Sequence, residues 1–454
     1  MRFDRFDYTV WAVMLFLFAA LVGLVWIGQA SGARFVLTFP DSSQPVSPYT
    51  RLGVEFAQPM LPETVETRFS LEPEVTGKFS WQGRQMWFQP DTPLSPSGAY
   101  TVRLLPGAQS EDGRFLKEEI EWEIQVREPW IAYLSPSRDE RALWRIPASG
   151  GEALQLTPQG VRVWDYSVSA VREQIVFSVG NEQGGLDLWI VNYDGSEARV
   201  LLDCGLDRCY SPDWSPDGSR LAYAREIAGL APGEPTGAPR IWLLDVEGGE
   251  SQRLFANTQR TGYAPRWSPP GDRLAYYDIA ESGIRVVNLD SAEEFFIPTR
   301  TATLVGWSPD GEKVAFTSLD PSGNTENTHI FIADIVREEI GNLPGIFGDD
   351  TLSFEDPRWS STGDWLLMAV RQAGLSPGWQ VWRVSLDGQA GLRVADDPDY
   401  TYYNYRWDPW GEAIALQRTQ LRTGNVLPEV VVWRPDDLDE HLLVEDAADP
   451  EWLP

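Results

Sequence analysis

Most of the chain consists of short apolar runs separated by turn-forming residues, a pattern typical of β-strands joined by tight turns. Five segments repeat one pattern without gaps: a Trp, six residues that include a Gly, and then an apolar strand. The Gly supplies the left-handed position of a tight turn. A Pro after the Trp has no backbone N–H to donate, so the hydrogen-bonded ladder ends there. Each segment is therefore predicted to be a β-hairpin. The segments are Trp214-SPDGSR-Leu221, Trp267-SPPGDR-Leu274, Trp307-SPDGEK-Val314, Trp359-SSTGDW-Leu366 and Trp407-DPWGEA-Ile414.

A second pair of strands follows each hairpin, because another apolar run, a Gly turn and a further short strand come before the next repeat. Examples are the runs 188–191, 241–244 and 381–384. Four strands in each repeat of 40 to 53 residues is the composition of a β-propeller blade. The fold class predicted for residues 129–454 is therefore an all-β propeller.

The count of repeats predicts seven blades, with six as the alternative if one of the weaker repeats is not a blade. One blade is degenerate, with Val168 where the Trp is expected. Another is split between the two ends of this region. Residues 449–454 form a first strand with nothing after it, and residues 130–134 form a second strand with nothing before it. We expect these strands to pair and close the ring, which removes two exposed sheet edges.

These repeats resemble the WSPDG repeats of TolB-like propellers over about 325 residues. The resemblance implies an extracytoplasmic propeller that binds other envelope proteins. The amino-terminal domain differs from the TolB pattern, so a Tol-Pal role is not implied. Similar repeats form the propeller of prolyl oligopeptidase-type proteases, whose Ser, Asp and His lie on a separate hydrolase domain that we do not expect in this chain.

Residues 34–127 carry six short strands with alternating or aromatic-rich character and no helical period, which predicts a β-sandwich. This region resembles the bacterial Ig-like domains of S-layer and other envelope proteins. The resemblance implies a spacer or adhesive module without catalytic chemistry. The matching residues are Phe56-Ala57-Gln58-Pro59-Met60, Phe88-Gln89-Pro90, Leu94, Tyr100-Thr101-Val102 and Asp112-Gly113.

The amino-terminal segment contains an uninterrupted apolar run, Val10 to Ile27, preceded by Arg2 and Arg5. Its length is close to what spans a membrane, and the flanking arginines favour a cytoplasmic amino terminus. Residues 8–29 are therefore predicted to be a transmembrane anchor, with residues 1–7 as a cytoplasmic tail. A cleaved signal peptide is the alternative. Both interpretations place the remaining chain outside the cytoplasm, in the periplasm or the extracellular space.

The formal net charge of −30 argues against nucleic acid as a partner, because phosphate binding needs a basic surface. Two cysteines, Cys204 and Cys209, are too few for a zinc site or a disulfide framework. They either close one short loop as a disulfide or remain as two free thiols. No metal and no cofactor are expected.

The residue just before each repeat Trp occupies a second repeating position. First strands of propeller blades line the central channel, so these residues are predicted to form a mixed-charge mouth that binds a peptide or small ligand. The residues are Asp213, Arg266, Gly306, Arg358, Arg406 and Glu451. The repeat tryptophans themselves are expected to pack between blades. Trp365 and Trp410 stand where the turn normally has small or polar residues, so we expect them to be exposed contact residues.

Candidate catalytic residues are few. Gly374 to Gly378 matches G-x-S-x-G but lies between two predicted strands, which indicates a turn and not a nucleophile elbow. His329 and His441 fall in the outer halves of blades, away from the ring centre. The polar loop 320–327 lacks the ligand spacing of a calcium loop, although loose calcium binding there is an open alternative.

The leading functional prediction is a non-enzymatic, membrane-anchored binding or scaffold protein of the bacterial cell envelope. Its ligand would be an envelope protein, a peptide or a glycan. The alternatives are a hydrolase or lyase built on the propeller, and a ligand sensor that acts with a membrane partner.

Overall fold

The computed structural model forms two compact units, Met1–Arg127 and Glu128–Pro454. Most of the predicted anchor lies outside the described residues, and the part that is described, residues 11 and 13–19, is helical. No helix within the described residues has the length and apolar character needed to span a membrane. The structure describes residues 11, 13–19, 32–40, 44–96, 98–229, 231, 234–256, 259–299, 301, 305–319, 327–343, 352–372, 377–387, 390–422, 427–435, 437 and 440–454.

The first unit is a sandwich of two antiparallel sheets, with strand orders β1-β2-β5-β4 and β3-β6-β7. Both sheets contribute apolar side chains to one core, such as Phe56 and Phe88 from the first and Val102 and Ile124 from the second. The elements are β1 (Phe35–Phe39), β2 (Leu52–Phe56), α1 (Pro62–Glu66), β3 (Phe69–Glu72), β4 (Gly77–Gln82), β5 (Gln85–Pro90), β6 (Ala99–Leu104) and β7 (Ile120–Gln125).

Two elements of this sandwich differ from the sequence prediction, α1 and β3. The helix has only five residues, too few for a helical period to show in the sequence, and Pro occupies its first turn. It buries Val65 in the core. Strand β3 has four residues and pairs with β6, so its assignment depends on a distant partner and not on its own pattern.

The described strands of the second unit form seven antiparallel groups of four, two of which are joined by one parallel bridge between Leu186 and Arg208. The strands are β8 (Trp130–Ser135), β9 (Ala142–Pro147), β10 (Leu154–Gln155), β11 (Val163–Ser169), β12 (Gln174–Gly180), β13 (Leu186–Asn192), β14 (Arg199–Leu202), β15 (Arg208–Trp214), β16 (Arg220–Glu226), β17 (Arg240–Asp245), β18 (Ser251–Arg253), β19 (Gly262–Trp267), β20 (Arg273–Asp278), β21 (Gly283–Asn288), β22 (Glu294–Pro298), β23 (Gly306–Trp307), β24 (Lys313–Leu319), β25 (Thr328–Asp334), β26 (Glu339–Asn342), β27 (Leu352–Trp359), β28 (Trp365–Gln372), β29 (Gln380–Ser385), β30 (Gly391–Ala395), β31 (Tyr400–Trp407), β32 (Ile414–Gln420), β33 (Pro428–Trp433), β34 (His441–Glu445) and β35 (Ala448–Leu453).

The hairpin predicted for each repeat is confirmed in register. Trp214 pairs with Leu221, and the other four repeats show the same seven-residue offset between the Trp and its partner. The turn glycines have positive φ, as the predicted left-handed position requires. These glycines are Gly218, Gly271, Gly311, Gly363 and Gly411.

The carboxyl-terminal strand closes the split group. β35 pairs antiparallel with β8, with Trp452 opposite Ile131 and Leu453 opposite Trp130. Trp452 and Leu453 are buried. The predicted pairing of the last residues with residues 130–134 is therefore confirmed.

Apolar side chains fill the space between consecutive groups. One cluster combines Ala275 and Ile284 of one group with Val314 and Phe316 of the next. The strands are short apolar runs because both of their faces are covered by neighbouring groups. The core of this unit is thus a series of layers between sheets that fixes the position of the first strands.

Candidate functional site

The first strand of each group (β35, β11, β15, β19, β23, β27 and β31) is called an inner strand here. Five of them, β15, β19, β27, β31 and β35, carry a β-bulge just before the repeat Trp. In each bulge, one non-glycine residue has a positive φ of 48° to 53°. A bulge bends the strand and re-aims the side chains next to it. The positive-φ residues are Ser211, Ala264, Asp356, Asn404 and Asp449.

Sequence reasoning missed these bulges, although a signal is present. Four of the five positive-φ residues are followed by Pro, which gives the repeated pattern x-Pro-x-Trp. A Pro inside a strand cannot donate to the ladder, so it marks a bulge or an edge. The residue between the Pro and the Trp is the one that was predicted to face the ring centre.

The structure brings these predicted residues into contact across neighbouring inner strands. The guanidinium of Arg266 lies 3.1 Å from the carboxylate of Asp213, which also accepts the backbone N–H of Trp267 at 2.8 Å. Arg406 and Glu451 form the corresponding pair at 2.8 Å. We call Asp213, Arg266, Arg358, Arg406 and Glu451 the inner charged cluster.

Two members of the predicted set behave differently from these pairs. Arg358 pairs with Asp356 of its own strand at 2.7 Å, and not with a neighbouring strand. Gly306 has no side chain to contribute. A Cβ at this position would lie 2.3 Å from the carbonyl oxygen of Pro357, so Gly306 allows two inner strands to approach closely.

Burial controls the electrostatics of the inner charged cluster. It raises the pKa of Asp213 although Arg266 stabilises the carboxylate. It also lowers the pKa of Arg358, which is further lowered by the like charges of Arg406 and Arg266. Burial opposes the charge on Arg406, but Glu451 and Asp356 outweigh it and raise the pKa of this guanidinium. The pKa values of these groups therefore depend on the charges of other members of the cluster.

A further carboxylate, the partly buried Asp165 on β11, was missed from the sequence because its repeat lacks the Trp that sets the frame. The hydroxyl of Ser178 donates to Asp165, and the backbone N–H of Ser211 donates to it at 2.7 Å. Burial raises the pKa of Asp165 despite both bonds. Asn404 and Asp449 are also linked, with 2.6 Å between the amide nitrogen and the carboxylate.

The repeat tryptophans join neighbouring groups. The indole N–H of Trp267 donates to the backbone carbonyl of Asp213 on the preceding inner strand at 3.1 Å, and Trp452 donates in the same way to Arg406 at 3.1 Å. Trp307 and Trp407 make the equivalent bonds at 3.2 and 3.3 Å. These side chains pack between groups, as the sequence predicted, and do not form a ligand platform.

Trp365 and Trp410 are only partly exposed, between the exposed positions that the sequence predicts and the buried core. The guanidinium of Arg383 covers the ring of Trp365 at 5.0 Å. The sequence pattern identified an unusual turn residue but could not show the arginine that packs on it from another strand. A contact role for the two tryptophans stays a prediction.

The other candidate residues occupy structural positions. Cys204 and Cys209 are joined by a disulfide. His329 lies on β25 with its ring centre 6.3 Å from that of Phe354, and His441 starts the outer strand β34. No group of three or more His, Cys, Asp or Glu side chains among the described residues is placed to hold a metal ion. Residues 320–326 and 373–376 of the two candidate loops lie outside the described residues.

The fold and the inner strands define an all-β protein that combines an Ig-like domain with propeller-like sheets. Residues 164–326 match the family model of the TolB beta propeller domain, and residues 32–124 match that of a bacterial Ig-like domain. Both resemblances predicted from the sequence are therefore confirmed.

Similar proteins share only part of this chain or only its fold. An uncharacterised protein of Agrobacterium fabrum is 28% identical over 22% of this chain and 35% of its own length. Dipeptidyl-peptidase 5 of Porphyromonas endodontalis is 31% identical over 21% of this chain and 15% of its own length. Oligogalacturonate lyase of Vibrio parahaemolyticus has a TM-score of 0.51 at 14% identity, and the match covers 80% of this chain and 97% of the lyase. This last likeness shows the fold alone.

Proposed function

We propose that this chain is a non-enzymatic binding or scaffold protein of the bacterial cell envelope. Its seven four-stranded groups act as the blades of one closed ring, and the inner charged cluster forms the binding surface at the ring centre. The ligand is an envelope protein, a peptide or a glycan. Residues 8–29 hold the chain at the membrane, with residues 34–127 and 129–454 on the extracytoplasmic side.

The observation that carries this proposal is the pairing of charged residues on neighbouring inner strands. Five inner strands carry the same bulge, and in all five the residue just before the repeat Trp is charged. Since the sheets behind the strands are rigid layers, the cluster is preorganised. A preorganised site loses less conformational entropy on binding, which favours recognition of a partner.

The disulfide supports an extracytoplasmic location, because such bonds persist in oxidising compartments and are rare in the cytosol. Labelling of intact cells with a membrane-impermeant amine reagent tests this location. We expect lysines of both compact units to be labelled in cells whose cytoplasmic membrane is intact, provided that the reagent reaches the outer face of that membrane. Labelling that requires lysis of that membrane would contradict the proposal.

Affinity capture with the full chain tests the binding role. Substituting Arg266, Arg358 and Arg406 by Gln is expected to lower recovery of the captured partner at least about tenfold. The matched control changes three exposed arginines, Arg337, Arg393 and Arg422, to Gln, which alters the net charge equally. If the triple variant unfolds, the double variant Asp213→Asn with Arg266→Gln removes one pair without leaving an unpaired charge. Equal recovery with all variants would show that the inner charged cluster does not bind the partner.

A further inference from the structure

A cleft in the second unit carries a concentration of arginines that the predicted function does not use. The cleft has a volume of about 840 Å³. Four arginines and one acidic residue, Asp139, are among the described residues that line it, in a chain of net charge −30. Four arginines against one acidic lining residue give the cleft an excess of positive charge, which favours an anionic ligand. We call Arg138, Arg141, Arg162 and Arg208 the arginine cleft.

Four chain segments form this cleft: the β8–β9 loop, the start of β11, the β12–β13 loop and the start of β15. The β12–β13 loop rests against the loop that the Cys204–Cys209 disulfide closes. The side-chain amide of Asn181 donates to the carbonyl of Gly205 at 2.7 Å, and a Cβ on Gly185 would lie 2.2 Å from the same oxygen. Close backbone contacts and the Cys204–Cys209 disulfide therefore hold this wall of the cleft in place.

Two of the arginines are held in place by the protein itself. Arg141 donates to the carbonyl of Trp164 at 2.6 Å and lies 3.6 Å from the carboxylate of Asp449. Arg208 lies 3.7 Å from Glu226 and stands 5.6 Å from the ring centre of Trp164. A guanidinium has five N–H donors, more than these contacts use. Both side chains are therefore positioned and still able to donate.

One wall of the cleft is an exposed aromatic ring. Trp164 is 53% exposed, although most other tryptophans of this unit are packed between strands. Positions 180 and 184 of the wall are glycines whose missing Cβ atoms would meet open space. An exposed Trp beside arginines has the composition of a binding hot spot. The Trp164 ring, and the backbone of the two glycines without side chains, leave room for a flat ligand.

We propose that the arginine cleft binds an acidic saccharide. A sugar ring packs on the face of Trp164, and its carboxylate accepts paired N–H donors from Arg162 and Arg208. Planar guanidinium groups match carboxylates in this bidentate geometry. An acidic peptide would also satisfy the arginines, but its carboxylates are borne on flexible chains that offer no flat ring to Trp164. The arginine cleft shares no residue with the inner charged cluster, so substitutions can test the two proposals separately.

Isothermal titration calorimetry of the full chain with a glucuronic-acid tetrasaccharide tests the proposal. We expect saturable binding that is at least about tenfold tighter than binding of the uncharged glucose tetrasaccharide and of tetraglutamate. Arg162→Gln and Trp164→Ala should each weaken binding about tenfold, because one removes a charged hydrogen bond and the other removes the stacking surface. Both residues are exposed, so the variants are expected to fold.

Arg337→Gln is the matched control, since Arg337 is exposed on the same unit but lies outside the cleft. It should bind the tetrasaccharide like the parent chain, as should the triple variant of the inner charged cluster. Three results would each overturn the proposal: no binding of the acidic tetrasaccharide, equal or tighter binding of tetraglutamate, or unchanged affinity in Trp164→Ala with its melting temperature preserved.

Discussion

Asp408 occupies, in the last repeat, the turn position where the other four repeats have Ser. Its side chain is buried, and burial raises its pKa to about 6 although the N–H of Glu412 donates to it at 2.8 Å. In the other repeats the serine hydroxyl accepts the backbone N–H five residues later without bringing a charge into the turn. Those serines are Ser215, Ser268, Ser308 and Ser360.

This difference predicts a pH effect on stability. The unfolded chain releases the Asp408 proton near pH 3.8 and the folded chain near pH 6, so the free energy of unfolding falls as the pH rises between these values. Asp408→Ser should make that slope shallower and raise stability at pH 7 by up to about 3 kcal/mol. Denaturant unfolding from pH 4 to 8 measures both effects.

Asp310 provides the control for this experiment. Burial opposes its charge, but the Ser308 hydroxyl and the Glu312 N–H outweigh it and hold the pKa of Asp310 below its usual value. Asp310→Ser should therefore gain no stability at pH 7. A less stable Asp408→Ser variant that keeps the slope between pH 4 and 6 would contradict the account of Asp408.

At the scale of the secondary-structure element, indole N–H groups form hydrogen bonds that join neighbouring four-stranded groups. Trp267→Phe removes the 3.1 Å bond to the carbonyl of Asp213, whereas Trp214 occupies the same repeat position with no partner for its N–H among the described residues. Both side chains are equally buried. We expect Trp267→Phe to cost about 1 kcal/mol more than Trp214→Phe, because only the first substitution loses a hydrogen bond, whereas the second removes a buried N–H that has no partner among the described residues. Denaturant unfolding measures the difference, and equal costs would contradict the bond's role.

The Cys204–Cys209 disulfide cross-links the loop before β15. It links residues five apart, and closing a loop of this size stabilises the folded chain by about 2 kcal/mol. Replacing both cysteines by Ser should lower the melting temperature to that of the reduced parent chain. Adding reductant should leave the double variant unchanged. A variant as stable as the oxidised parent would show that the bond contributes nothing.

Much of this architecture could be predicted from elements whose pattern is local. The seven-residue offset from Trp214 to Leu221 fixes a hairpin register without knowledge of the rest of the fold. The bulges were harder to predict from the sequence, since a positive φ at residues such as Ala264 depends on the neighbouring strand. The arginine cleft could not be predicted, because Arg141, Arg162 and Arg208 lie on separate segments of the chain and only the pairing of distant strands brings them together.

At the scale of the molecule, stability of the second unit depends on a strand supplied by its last residues. β35 completes the split group, and both Trp452 and Leu453 are buried against neighbouring groups. Without β35, β8 would become an exposed edge, and two buried apolar side chains would be lost. Closure therefore couples the end of the chain to its inner charged cluster through Glu451.

Thermal unfolding of a chain that ends at residue 447 tests this closure most directly. The control lacks only Pro454, which follows the last strand. We predict that the shorter chain melts about 10 °C below the parent chain, while the control, which loses one buried residue but keeps β35, melts within a few degrees of the parent. Equal melting temperatures for the shorter chain and the parent chain would contradict the proposed closure of the ring by β35.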